Sequence, residues 1–279
     1  MGVNVLNFNL RNKIAGAVYG FAIGDAMGAT TEFLTKEQIK NRYGQVNEII
    51  GGGWLRLNPG EITDDTQMTL CVIDAIMTRP NNVEEFRTIC EDNFISWLNS
   101  EPKDIGNQCR IALCDLRDFN ERASVNKNAL GNGSLMRAMP LAILNLQYHN
   151  ITQGIITHNN SICSKVIISY SELLQNYLYG NTNSNYRGKV EKLLNPSGHV
   201  INTYNNSVYW SNQNSFEDAI IGAVNDGGDA DTIAAITGSL AGAKFGLSNI
   251  PEKWIKQLCP DVKILLENFI NFVYNCLQI

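Results

Sequence analysis

Two short acidic stretches of this chain carry residue types that can do metal chemistry. In Gly227-Gly228-Asp229-Ala230-Asp231-Thr232, two carboxylates and a hydroxyl follow directly on a glycine pair. The apolar run Ile233, Ala234, Ala235 and Ile236 comes next, so the order predicts a sharp turn opening into a buried helix. Asp231 and Thr232 then fall in the first helical turn, beside backbone N–H groups with no intrahelical partner. Capping uses one oxygen and leaves Asp229 and Asp231 repelling each other unless a cation lies between them. Alone, the stretch reads equally as a cap or as a metal site. Thr63-Asp64-Asp65-Thr66 breaks the tie. It follows a glycine-rich loop, Gly51-Gly52-Gly53 to Pro59-Gly60, and precedes a helical pattern through Met68, Cys71, Val72, Ala75 and Ile76. The two clusters offer oxygen donors only, which suits Mg²⁺ or Mn²⁺ rather than zinc. Their four carboxylates and flanking hydroxyls are enough for a pair of metal ions.

Helices must position these stretches. Residues 12–29 predict one, with Ile14, Ala17, Val18, Phe21 and Ala22 on a single stripe. Asp25 continues that stripe, and a lone buried carboxylate there needs a donor or a metal. Gly16, Gly20, Gly24 and Gly28 recur at every fourth position, and Gly238, Gly242 and Gly246 repeat the pattern after the C-terminal cluster. Each glycine costs about 1 kcal/mol of helix propensity relative to Ala, so the two helices are expected to be central and to pack against each other. Further helices are predicted over 83–99, 105–118, 161–178, 216–226, 231–246, 251–258 and 262–277, with Asp104 as the cap of the second. Glu32 alone reads as an exposed loop residue. Asn128 to Ser134 form a small polar loop before a helix, of the kind that can offer N–H groups to phosphate, and Arg137 follows it. His158 reads as a hydrogen-bonding residue before a long helix, and His149 and His199 as loop residues. Residues 180–215, rich in Asn, Ser and Gly, predict a polar surface excursion with one short helix near 187–194.

The chain has 279 residues, 44% of them hydrophobic, and a net charge of −5 with a pI near 5.3. No block of Lys and Arg is present, which argues against a nucleic-acid surface. Seven cysteines without a C-x-x-C pair predict reduced core thiols and a cytoplasmic protein. The N-terminus lacks the pattern of a signal peptide, and no run of 18 apolar residues occurs, so no membrane span is expected. No strand pattern or repeat appears. The expected fold is an all-α, single-domain orthogonal helical bundle over 1–279, with a dinuclear metal site in a central cleft and a monomeric state.

With both acidic motifs placed, the chain resembles the ADP-ribosylglycohydrolase family, the group that includes dinitrogenase-reductase-activating glycohydrolase. The resemblance rests on Gly20 to Gly28 with Glu32, Pro59 to Met68, Gly131 to Arg137, Thr157-His158, and Gly227 to Ala235. It implies two Mg²⁺ ions, Mn²⁺ being an alternative, held by Thr63, Asp64 and Asp65 from one side and Asp229, Asp231 and Thr232 from the other. Glu32 falls where the family has a glutamate near the metals and is expected to be catalytic, together with Asp65. Asn128, Ala129 and Leu130 fall at the diphosphate cradle. Asn132 and His158 match polar positions of the cleft, and Asp25 and Asp104 are counted with them as substrate-binding residues.

The implied reaction is hydrolysis at C1″ of an ADP-ribosyl group, through a transition state resembling an oxocarbenium ion. It would release ADP-ribose from a modified protein or an ADP-ribose-containing small molecule. A metal-dependent nucleotide or sugar phosphohydrolase and a non-enzymatic ADP-ribose-binding relative remain the alternatives. The acceptor stays open among arginine, serine, a nucleobase and O-acetyl-ADP-ribose.

Overall fold

The computed structural model describes residues 2–180, 190 and 192–279. Among them are thirteen α-helices and no β-strand. In chain order the helices are α1 (Gly2–Gly28), α2 (Lys36–Tyr43), α3 (Asp64–Met77), α4 (Val83–Asn99), α5 (Asn107–Phe119), α6 (Met139–Ile143) and α7 (Gln147–Ile155). They continue with α8 (Ser161–Tyr179), α9 (Val200–Ser211), α10 (Phe216–Asp226), α11 (Ala230–Phe245), α12 (Glu252–Gln257) and α13 (Pro260–Leu277). The fold is all-α, as the sequence patterns require. No helix of the described residues is long and apolar enough to cross a membrane.

Two helices form the axis of the core. Every residue from Ile14 to Glu32 and from Ala230 to Ala243 is buried, so the stripe expected on α1 is instead a helix covered on all sides. The glycine ridges explain how. A Cβ on Gly16 would stand 2.4 Å from the Gly242 carbonyl oxygen, one on Gly20 2.2 Å from that of Gly238, and one on Gly24 2.0 Å from that of Ala234. Gly28 meets the Ala230 carbonyl in the same way, at 2.4 Å. Each step of four along α1 is matched by a step of four back along α11, so the pair is antiparallel with backbones in direct contact. The packing of the two ridges is thus as expected, and its register sets the end of α1 beside the start of α11.

The remaining helices wrap this axis. Tyr170 on α8 hydrogen-bonds Ser239 on α11 at 2.8 Å, and Ser207 on α9 donates to the Ile233 carbonyl at 3.0 Å. The buried apolar side chains form one continuous cluster running from Ile14 to Val273.

Several expectations are corrected. The first helix begins at Gly2, not residue 12, since no Pro or Gly interrupts the chain between Val3 and Ala15. Asp104 does not cap α5: Gly106 holds that position without a side-chain bond. Helices α2, α7 and α9 were not expected. His149 lies on α7 with its ring against Phe86, at 5.1 Å between centroids, and His199 caps α9. Residues 200–211 of the supposed surface excursion are therefore a packed helix, with Thr203, Asn206, Ser207 and Ser211 buried; these polar residues conceal a core face because their partners lie elsewhere in the chain. Of the short helix expected near 187–194, residues 187–189 and 191 lie outside the described residues, while 190 and 192–194 are not helical. All seven cysteines are free; Cys90, Cys109 and Cys163 are buried, but Cys276 is exposed rather than core.

Replacing Gly24 by Ala adds helix propensity yet forces a methyl into a backbone carbonyl. The expected outcome is a loss of about 2 kcal/mol, read as a lower midpoint in urea unfolding at unchanged slope. Gly106→Ala, where a Cβ meets nothing within 4 Å, changes stability by less than about 0.5 kcal/mol.

Candidate active site

The cleft of about 470 Å³ lies where the end of α1 and the starts of α3 and α11 converge. Asp64 and Asp65 occupy the first turn of α3, and Asp231 that of α11. Both helix N-termini carry partial positive charge and N–H groups without an intrahelical carbonyl partner, which favour carboxylates there. Glu32 enters from the turn after α1, Asp229 from the glycine turn before α11, and Asp104 from the loop before α5. Six carboxylates thus face one cleft, and no Lys or Arg among the described residues lines it. Glu32, Asp64, Asp65 and Asp231 are buried; Asp104 and Asp229 are half-buried.

The two acidic clusters meet directly. Thr232 Oγ1 donates to Asp65 Oδ2 at 3.2 Å, across 167 positions of chain. Glu32, Asp229 and Asp231 offer oxygens that all lie within 4.8 Å of one another. Glu32, expected as a separate catalytic group, therefore stands within ligand range of the C-terminal cluster. Asp65 Oδ1 is buried without a hydrogen-bond partner. An oxygen-only donor set, an excess of buried negative charge and an orphaned carboxylate oxygen together fit hard divalent cations.

Backbone contacts hold these groups in place. Gly227 and Gly228 have φ of +76° and +66°, and a Cβ on Gly228 would stand 1.7 Å from the Pro196 carbonyl oxygen. Phe33 N–H donates to Gly228 O at 2.6 Å and Gly228 N–H to Leu34 O at 2.9 Å, which pins the turn after α1 to the turn before α11. Asp229 Oδ2 accepts from Asn132 Nδ2, and Asn132 Nδ2 also reaches Thr203 Oγ1 at 3.0 Å. Glu32 Oε2 accepts from Trp54 Nε1 at 2.5 Å. Gly106 N–H donates to Asp64 Oδ2 at 3.3 Å, so the loop preceding α5 closes on the cluster rather than capping its own helix.

Four residues expected to contact substrate do not line the cleft: Asp25, Asn128, Ala129 and Leu130. Asp25 is fully buried and does not line the cleft. Its oxygens accept from Thr63 N–H at 3.1 and 3.2 Å and from Thr66 N–H at 3.1 Å. It anchors the start of α3, supplying the acceptor that a buried helix end requires. Thr63 caps α3 by accepting from Asp65 N–H at 3.3 Å, and its hydroxyl also reaches Asp65 Oδ2 at 3.3 Å. The N–H groups of Asn128, Ala129 and Leu130, expected at a diphosphate cradle, are taken by Asn126 Oδ1, Asn126 O and Asn128 O. The neighbouring Gly131, Asn132 and Gly133 line the cleft instead, with His158. Phe33 and Trp54 were missed. Both are exposed at the mouth, with ring centroids 5.5 Å apart. The only signal was an aromatic directly after Gly51-Gly52-Gly53. Phe33 also holds a φ of +61°, a strained value for a bulky residue.

Burial pushes the carboxyls upward. Glu32 rises to about 9, mainly by desolvation, against the Trp54 hydrogen bond and with repulsion from Asp104, Asp229 and Asp64. Asp229 rises to about 6 by desolvation, opposed by hydrogen bonds from Asn132 and Thr232. Asp64, Asp65 and Asp231 go well above their usual range by desolvation and mutual repulsion.

A model of the ADP-ribosylglycohydrolase family matches residues 7–183 and 166–275. The chain is 32% identical to the ADP-ribosyl-[dinitrogen reductase] glycohydrolase of Rhodospirillum rubrum, covering 92% of each chain. It is 31% identical to the ADP-ribosylarginine hydrolase Tri1 of Serratia proteamaculans, over 91% of this chain and 77% of that one. A solved structure described as an ADP-ribosylglycohydrolase-related protein complex superposes with a TM-score of 0.79 at 26% identity, covering 95% of this chain and 99% of that one.

Carboxyls whose folded values exceed their unfolded ones bind more protons in the native state, so stability falls as pH rises between the two values. For Glu32 and Asp229 that window runs from about 4 up to about 6 and about 9. The melting temperature of the metal-free protein is expected to fall from pH 5 to pH 8, and Mg²⁺ to reverse the fall; a flat profile with no response to Mg²⁺ counts against a cation-binding cluster.

Proposed function

The chain belongs to the ADP-ribosylglycohydrolase family, hydrolytic enzymes that release ADP-ribose from modified substrates, and from that premise we propose that it cleaves the C1″ glycosidic bond of ADP-ribosylated arginine with the help of a pair of Mg²⁺ ions. The observation that carries the metal dependence is the meeting of the two acidic clusters through Thr232 and Asp65, beside a buried carboxylate oxygen that has no other partner.

Asp64, Asp65, Asp229, Asp231 and Thr232 are the residues that would hold the cations, with Glu32 in reach of the same group. When bound, the cations supply positive charge that draws ribose hydroxyls and a water into one arrangement. Hydrolysis forms a bond from the water oxygen to C1″, breaks the bond from C1″ to the acceptor nitrogen, and moves a water proton to the departing group. Glu32 is the proton carrier. One of its oxygens is fixed by Trp54, which holds the carboxyl at the cleft where the proton has to move.

Arginine as acceptor is supported by the name of the Serratia proteamaculans relative, ADP-ribosylarginine hydrolase Tri1, and by the mouth of the cleft. Phe33 and Trp54 stand there beside Glu32 and Asp104, a combination of ring faces and carboxylates that suits a guanidinium.

Asp231→Asn and Asp64→Asn are each expected to lower release of free ADP-ribose about 10³-fold, roughly 4 kcal/mol of barrier, with folding intact by circular dichroism. EDTA abolishes turnover of the wild type, and Mg²⁺ or Mn²⁺ restores it. Wild-type rates in either variant, or AMP as the product in place of ADP-ribose, refute the reading. Assayed on ADP-ribosyl-arginine and O-acetyl-ADP-ribose side by side, Phe33→Ala, which leaves the bond from Trp54 to Glu32 in place, raises KM for the arginine substrate alone.

A further inference from the structure

Arg137 is fully buried, and its guanidinium is spent on neutral acceptors: Gln153 Oε1 at 2.7 Å and, at 2.8 Å each, Gly133 O, Gln153 O and Thr157 Oγ1. The Phe94 ring lies 4.6 Å away. A buried cation held without a carboxylate among these partners is costly, so what it organises matters. Its bond to Thr157 has a direction, since guanidinium only donates. Cys109 Sγ also donates weakly to the same Oγ1, at 3.9 Å. With its lone pairs turned to these two donors, the Thr157 hydroxyl has one hydrogen left, and His158 Nδ1 lies 2.9 Å away to take it. Nδ1 is then an acceptor, and the proton of the neutral ring sits on Nε2.

His158 is 2% exposed and lines the cleft, as do Gly131 and Gly133. A Cβ on Gly131 would stand 3.0 Å from Nε2, and one on Gly133 would stand 2.8 Å from Cε1. The Nε2 edge of the ring therefore lies against two cleft-lining glycines, with no side chain between them. Burial and the Arg137 charge push the imidazole pKa down to about 3, which keeps it neutral.

We propose that Arg137 and Thr157 are positioning residues that lock His158 in its Nε2–H tautomer, so that it presents a fixed N–H donor to an oxygen of the bound ADP-ribosyl group and takes no part as a base. The phosphate and ribose oxygens share this acceptor chemistry. The substrate contact rests on the proposed hydrolase reading; the tautomer does not.

The test is long-range ¹H–¹⁵N spectroscopy of the imidazoles at neutral pH. His149→Gln and His199→Gln assign the three rings of the chain. His158 is expected to show an unprotonated Nδ1 and a protonated Nε2. Thr157→Val mixes the tautomers and raises KM about tenfold with kcat within about threefold of wild type, and Thr157→Ser restores both spectrum and KM. A protonated Nδ1 in the wild type overturns the proposal, as does a Thr157→Val protein whose spectrum and KM are those of the wild type. If Thr157→Val fails to fold, the wild-type spectrum still decides. A wild-type protein that shows the expected spectrum but releases no ADP-ribose contradicts the hydrolase reading instead.

Discussion

Direct backbone contact between α1 and α11 is the constraint on which the site depends. Glycine at every fourth position removes the side chains that would otherwise hold two helices 8–10 Å apart. The gain is geometric as well as energetic. Because the pair is antiparallel with Gly28 against Ala230, the turn that carries Glu32 arrives beside the turn that carries Asp229. No loop has to span the distance. Asp25, three residues before Gly28, uses the same end of α1 to seize the backbone of Thr63 and Thr66, and so brings the start of α3 into the same place. Three helix ends are fastened to one point by contacts that are mostly main-chain.

That fastening concentrates negative charge at a cost to the fold. Two helix N-termini, the Gly106 N–H and the Trp54 indole offset part of it. They do not offset all of it, because Asp65 retains a buried oxygen without a donor and Glu32 and Asp231 each lie in the other's field. A protein under selection for stability alone has no use for such a cluster. The surplus of oxygen donors fits the cation-holding role proposed for these residues.

Another wall of the cleft is built by different means. There Asn132 is held by Gly198 and Thr203, and Leu130 by Val200, from the segment around α9; Gly133 is held by Arg137, and His158 through Thr157 and Arg137. One wall is anionic and the other is a neutral hydrogen-bonding surface. A ligand with a polyol that favours metal and a diphosphate that favours N–H donors meets both demands.

The acidic stretches, the glycine ridges and the boundaries of α4, α8, α10 and α13 were legible in the linear order of residues. Carboxylates two apart, a four-residue glycine period and a 3.6-residue apolar period are local patterns, and each constrains its own backbone without reference to the rest of the chain. Asp25 was correctly flagged as needing a partner, but whether that partner was a metal or a peptide N–H could not be read from its neighbours. Asp104 had the spacing of a cap and instead faces Asp64. Residues 128–130 had the composition of an anion cradle, and their N–H groups bond to oxygens of their own loop. Val200–Ser211 looked like surface because its polar side chains find Leu194, Ile233 and Asn132 only after folding. Local order settled which residues could bear charge or bend the chain. The destination of each hydrogen bond was settled by packing, since a donor and its acceptor 38 or 167 positions apart leave no shared mark on the stretch of sequence around either one.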